Sequence, residues 1–184
     1  MLIKTFLLFL VATAATINGI AQIYLTDDGE AVFVSDAPLE FITATSNQVQ
    51  GAINVTDKQY AFKIDNRTFI GFNSPLQQEH FYENYMEVDK YKYSTFQGKI
   101  IEDIDPQKRG PQPVRAKGIL SIHGVDTERI IPASLEFSEG KILIHSEFDI
   151  LLEDHNIRIP NVVHQKIAEV IKVKVSASLK EKKD

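Results

Sequence analysis

The chain has 184 residues, 43% hydrophobic and 24% charged, with nine glycines, seven prolines and no cysteine. That balance fits one globular domain with a sizeable core and excludes a collagen-like, low-complexity or disordered chain. A net charge of −5 argues against nucleic acid as a partner, and without cysteine there is no disulfide framework, thiolate nucleophile, Cys-ligated zinc or lipidated cysteine.

The N-terminus reads as an export signal. Lys4 makes a short cationic start, residues 6–12 are an uninterrupted apolar run, and Gly19-Ile20-Ala21 offers the small-x-small pattern of a signal peptidase site. Cleavage is expected after Ala21, with a second candidate after Ala15, and residues 22–184 then form a single mature domain. The competing reading, a membrane helix, needs about 18 or more consecutive apolar residues, and this run is shorter. No later segment is apolar over a spanning length, so the mature chain is expected to be soluble, in the periplasm or secreted.

Beyond residue 21 the organising signal is period-two alternation. AVFVSD (31–36), EFITATS (40–46), QVQGAINV (48–55) and KQYAFKID (58–65) are short strand candidates, the last two separated by Thr56-Asp57. After Ser74-Pro75 the run LQQEHFYENYM (76–86) has a helical period. Leu76, His80 or Phe81, and Tyr85 or Met86 fall about one turn apart with polar residues between them. Residues 91–101 are extended again, with Ser94, Phe96, Gly98 and Ile100 in one phase, and the proline-rich residues 103–113 read as a loop.

VRAKGILSIHG (114–124) turns Val114, Ala116, Gly118, Leu120 and Ile122 to one face, and residues 124–127 are expected to lead it into a strand from Glu128. ERIIPASLEF (128–137) and KILIHSEFDI (141–150) read as a hairpin through Glu139-Gly140, the second strand with Ile142, Ile144, Phe148 and Ile150 in phase. A weaker helical turn covers residues 161–168 after Pro160. Finally IKVKVSASL (171–179) sets Ile171, Val173, Val175, Ala177 and Leu179 opposite Lys172, Lys174, Ser176 and Ser178. Strands longer than the usual five or six residues, each with one apolar face, need closure or a second sheet. A barrel of about eight strands and a two-layer sandwich both satisfy the pattern, with the balance toward the barrel.

Several ordered segments resemble a known family. GILSIHGVDTERIIPASLEF, SEFDILLEDHNIRIP and KIAEVIKVKVSASL are similar to the second half of the YceI-like domain. FVSDAPLEFITATSNQVQGAINV and LQQEHFYENYMEVDKYKYSTFQGKI resemble its version in secreted proteins of Bacteroidetes, and the His123-Gly124 turn and the EHF-ENYME-DKY run are the most specific features. The resemblance implies an all-β fold: an extended antiparallel lipocalin-like β-barrel of about eight strands with one or two short helices. It further implies export, and an apolar lumen that holds a polyisoprenoid, fatty-acyl or other long-chain amphiphile without chemistry on it. The competing reading is a filled-core structural or interaction barrel of the cell envelope. The expected partner is a long-chain lipid or isoprenoid, and a homodimer is left open.

On that fold the expected lumen wall comprises Phe62, Ile64, Phe81, Tyr85, Met86, Phe96, Leu120, Ile122, Ile144, Phe148, Ile150, Ile171, Val173 and Val175. Leu120→Trp or Gly98→Leu is expected to narrow it. No catalytic residue, metal site or cofactor is expected. His80, His123, His145, His155 and His164 form no HExxH and no close pair, and read as surface or hydrogen-bonded histidines. Glu79 with Glu83, and Glu147, Asp149, Glu153 and Asp154, are neighbouring carboxylates with no nucleophile beside them. Ser121 and His123 share a strand face without a G-x-S-x-G elbow. The Asn54 and Asn66 glycosylation triplets are expected to be bare, and Lys180, Lys182, Lys183 and Asp184 read as a solvated tail.

Overall fold

Eight antiparallel strands hydrogen-bond in sequence order and the last returns to the first, in a computed structural model that describes residues 22–182. They are β1 (Ile23–Ala37), β2 (Glu40–Asn54), β3 (Gln59–Asp65), β4 (Tyr93–Ile100), β5 (Gln112–Ile122), β6 (Val125–Ser138), β7 (Lys141–Leu151) and β8 (Val170–Glu181). The β1–β8 ladder closes the barrel, so no sheet edge is left unpaired and the sandwich is excluded. The proposed signal peptide and Lys183-Asp184 lie outside the described residues.

The inward phases are those read from alternation. Val114, Leu120 and Ile122 of β5, Ile142 and Ile150 of β7, and Ile171, Ala177 and Leu179 of β8 are all buried. Adjacent lysines of β8 face solvent, so each strand carries a core face and a wet face.

Five boundaries depart from expectation. The EFITATS and QVQGAINV segments are one strand, and β1 begins eight residues before AVFVSD, because both strands run through bulges that interrupt alternation. In β1 two consecutive outward residues, Asp27 and Asp28, separate inward Thr26 and Gly29; in β2 Asn47 and Gln48 do the same between Ser46 and Val49. The β5–β6 turn is only His123-Gly124, with Ile122 paired to Val125. Both turn residues have positive φ, 51° and 72°, as a two-residue hairpin of this hand requires. Gln112 and Pro113, read as loop, open β5, and Lys180, read as tail, pairs with Leu25 and Lys141.

The helical run is α1 (Pro75–His80), capped by the Ser74 hydroxyl accepting from the Gln77 N–H, followed by a π-helical turn at Phe81–Tyr85. The second helical segment is shorter than expected: a 3₁₀ turn at Asn161–Val163. The two long connections, residues 66–92 and 152–169, lie at the same end of the barrel, termed the upper end. The lower end is packed solid by Tyr24, Ile53, Leu135, Ile142 and Leu179.

Candidate functional site

Above that packed floor the barrel is hollow. Its lumen has a volume of about 550 Å³, and Ile53, Tyr60, Ile100, Val114 and Leu135 belong both to its lining and to the cluster beneath it. The structure places all fourteen expected wall residues on this lining: Phe62 and Ile64 from β3, Phe96 from β4, Leu120 and Ile122 from β5, Ile144, Phe148 and Ile150 from β7, Ile171, Val173 and Val175 from β8, and Phe81, Tyr85 and Met86 from the helical segment. Phe62, Phe96, Phe148 and Val173 are only half-buried despite facing inward, since the lumen gives them open space rather than packed neighbours.

The π-helical turn explains how three helix residues reach one cavity. The Met86 N–H donates to the Phe81 carbonyl at 2.9 Å, five residues back. The extra residue in that turn sets Phe81, Tyr85 and Met86 side by side, whereas an ideal α-helix would swing Met86 away from Phe81. The Tyr82 hydroxyl pins the turn to the wall by donating to the Phe69 carbonyl at 2.7 Å.

Besides Tyr60, three aromatic residues of the wall are not among those expected. Phe33 stacks on Phe81 with ring centroids 5.2 Å apart, and Phe69 and Phe72 pack against both. Phe33 sits in AVFV, where both faces are apolar and alternation cannot say which is inward. Phe69 and Phe72 lie in a connection with no period to read.

Gly98 does not act as expected. It pairs with Gly118 across β4 and β5, and the Tyr60 ring lies along the inner wall with its hydroxyl against Gly118. A Cβ at Gly98 would stand 2.1 Å from the Lys117 carbonyl oxygen. Gly98→Leu therefore strikes backbone before it can narrow the lumen; Leu120 remains the position for that. The Tyr60 hydroxyl is buried without a hydrogen-bond partner, and burial pushes the phenol well above its ordinary range.

The lumen opens upward between the β1–β2 hairpin, α1 and the β7–β8 connection, with Glu40, Gln77 and Lys166 at the opening. Lower down the wall is mostly aliphatic and aromatic, and the Ser146 hydroxyl there donates to the Pro132 carbonyl at 2.7 Å. Among the described residues no three histidine, aspartate or glutamate side chains converge as a metal site.

The YceI-like domain matches residues 26–179. The chain belongs to the YceI-like domain family. The YceI-like barrel is also similar to a polyisoprenoid-binding domain from Saccharophagus degradans implicated in plant cell wall breakdown, at TM-score 0.73 and 14% identity over 89% of this chain and 100% of that one. It resembles BcnA of Burkholderia cenocepacia (TM-score 0.66, 12% identity, 82% and 95% coverage) and the Campylobacter jejuni YceI protein (0.55, 15%, 99% and 100%). No curated protein sequence matches.

In this YceI-like barrel the His123-Gly124 turn that marked the resemblance is a clasp. His123 Nε2 lies 2.7 Å from the Glu87 carboxylate just after the helical segment, and Nδ1 lies 3.1 Å from the His155 carbonyl in the β7–β8 connection. Gly124 leaves room for the Tyr91 ring, whose Cε1 would stand 2.3 Å from any Cβ there. One turn thus ties together both long connections that shape the upper end. His155 corrects the expectation of surface or hydrogen-bonded histidines: it is 0% exposed, neither ring nitrogen has a partner, and desolvation holds its pKa below the ordinary 6.5. Asn66 is also structural. It is buried, its amide donates to the Tyr91 carbonyl at 2.9 Å, and its carbonyl accepts from the Ser94 hydroxyl at 2.9 Å.

Proposed function

We propose that the protein binds and carries a long-chain amphiphile, of polyisoprenoid or fatty-acyl type, in the barrel lumen and outside the cytoplasm, leaving the ligand chemically unchanged. The observation that carries this reading is the lumen itself: about 550 Å³, closed below, open above and lined mostly by aliphatic and aromatic side chains. Packed proteins rarely keep apolar space of that size, because an unfilled cavity costs stability. A chain entering it gains about 25 cal/mol for each Å² of its surface removed from water. The same space disfavours the filled-core alternative. The family is one of binding domains, and the polyisoprenoid-binding domain of Saccharophagus degradans supports the ligand class.

Affinity is therefore expected to rise with chain length until the lumen is full and to respond little to salt. Leu120→Trp is expected to weaken the longest chains first and to spare short ones. A native mass-spectrometry series over prenyl and acyl lengths, on protein unfolded and refolded to strip resident lipid, tests both statements. Binding at no length would overturn the reading.

Export is the second part of the proposal, motivated by Lys4, the apolar run and Gly19-Ile20-Ala21. The extracytoplasmic protein is expected to begin at Gln22. An intact Met1 terminus found by mass spectrometry on material outside the cytoplasm would refute it.

A further inference from the structure

Three segments remote in sequence meet around the upper opening, and each turns apolar side chains to solvent. Leu39 and Phe41, at the tip and start of the β1–β2 hairpin, are 66% and 57% exposed; Leu76 in the first turn of α1 is 58% exposed; Val162 in the β7–β8 connection is 90% exposed. Backbone and amide hydrogen bonds fix their relation. The Leu39 N–H donates to the Gln165 carbonyl at 2.9 Å, the Asn73 amide to the Phe41 carbonyl at 2.9 Å, and the Gln77 amide to the Glu40 carboxylate at 3.0 Å.

This rim is continuous with the lumen. Leu76 belongs to both, while Glu40 and Val163, the neighbours of Leu39 and Val162, line the cavity. Glu40 brings a negative charge and Lys63 and Lys166 positive ones to the cavity lining, so both signs are present there rather than a field of one sign alone to recognise charged headgroups.

We infer that the rim docks on a lipid layer with an uncharged headgroup surface, inserting these apolar side chains so that the opening faces the hydrocarbon. An insoluble chain leaving such a layer through water would expose its whole surface; a docked mouth removes that exposure along the path. Interfacial binding of this kind scales with the apolar area buried and needs no anionic lipid. The inference rests on the carriage reading for its purpose, but affinity of the rim for lipid does not require a chain in the lumen.

The protein has no tryptophan, so Val162→Trp supplies a single reporter at the most exposed rim position. With phosphatidylcholine vesicles its emission is expected to shift to the blue, to be quenched by lipids brominated near the top of the acyl chains, and to keep both responses at high salt. Ile130→Trp, exposed on the outer wall of β6, is expected to show neither response. Adding Leu39→Asp and Leu76→Asp to Val162→Trp should abolish the shift, and circular dichroism should confirm that the barrel is retained.

In a second arm, protein loaded with an anthroyloxy-labelled C18 fatty acid is mixed with acceptor phosphatidylcholine vesicles. Transfer is expected to quicken in proportion to vesicle concentration for the native chain and to lose that dependence in a Leu39→Asp, Val162→Asp variant, whose two positions lie outside the lumen lining, at unchanged probe affinity. The inference is overturned by an unshifted Val162→Trp, by an equal shift of Ile130→Trp, by a shift that needs anionic lipid, or by one that follows protein concentration without vesicles, which would mark a second copy at the rim. Probe binding with no vesicle response sinks the docking and leaves carriage standing. A vesicle response with no probe binding supports the docking and counts against carriage.

Discussion

Gly98→Ala is expected to lower the melting temperature by about 10 °C or more, a loss of roughly 3 kcal/mol or above, or to prevent folding. The smallest side chain is enough because the obstacle is main chain. An added Cβ would stand 2.1 Å from the Lys117 carbonyl oxygen and 2.6 Å from the Gly118 Cα, and no rotamer moves either. Gly118→Ala meets the Gln97 carbonyl at 2.1 Å and the Tyr60 hydroxyl at 2.5 Å, so both strands of the pair are held closer than Cβ atoms permit. Lys99→Ala, one residue along on the exposed face, should stay within about 0.5 kcal/mol of the native protein. Circular-dichroism melts of the three variants make the comparison. Equal melting temperatures for Gly98→Ala and Lys99→Ala would show that β4 and β5 do not approach as described.

Stability is also expected to fall as the solution is acidified below pH 6.5, through His155. Desolvation depresses its folded-state pKa, with Arg129 adding to the effect and Asp154 and the Val125 and Ile122 backbone opposing it. Above the ordinary value of 6.5 the ring is neutral in both states and its contribution is complete. Below that value the unfolded chain takes up a proton that the folded ring refuses. Unfolding is then favoured by up to about 1.4 kcal/mol per pH unit until the folded pKa is reached. His155→Leu keeps an apolar group in the site and the backbone carbonyl that His123 meets. It should therefore flatten the profile between pH 7.5 and 5, as read by urea denaturation at each pH; parallel profiles for variant and native protein would remove His155 as the cause.

How far the sequence reveals the lumen depends on how regular the backbone is. Where β5, β7 and β8 alternate strictly, the inward residues can be named from period two alone, and Leu120, Ile144, Phe148, Val173 and Val175 stand on the wall. Phe33 could not be assigned because Val32 and Val34 are as apolar as it is. Residue type makes His155 a polar group that seeks water or a partner, whereas its burial depends on the fold of the β7–β8 connection. The close approach at Gly98 and Gly118 is a property of two strands together. Each glycine alone reads only as a small inward residue.

The paired bulges carry a consequence for how such a barrel can change over time. In β1 the span from Thr26 to Gly29 faces the shorter span from Val49 to Gly51, and in β2 the span from Ser46 to Val49 faces the shorter one from Gly29 to Ala31. Losing one residue of the Asp27-Asp28 pair, or of Asn47-Gln48, would leave the pairing partners of β1 and β2 and their inward side chains in place. Only the bend of the strand would alter, since added local twist and curvature are what a bulge contributes. Strand curvature and lining chemistry are thus separately heritable: single-codon losses at two outward, polar sites can change the bend of the wall while its aromatic and aliphatic surface stays as it was.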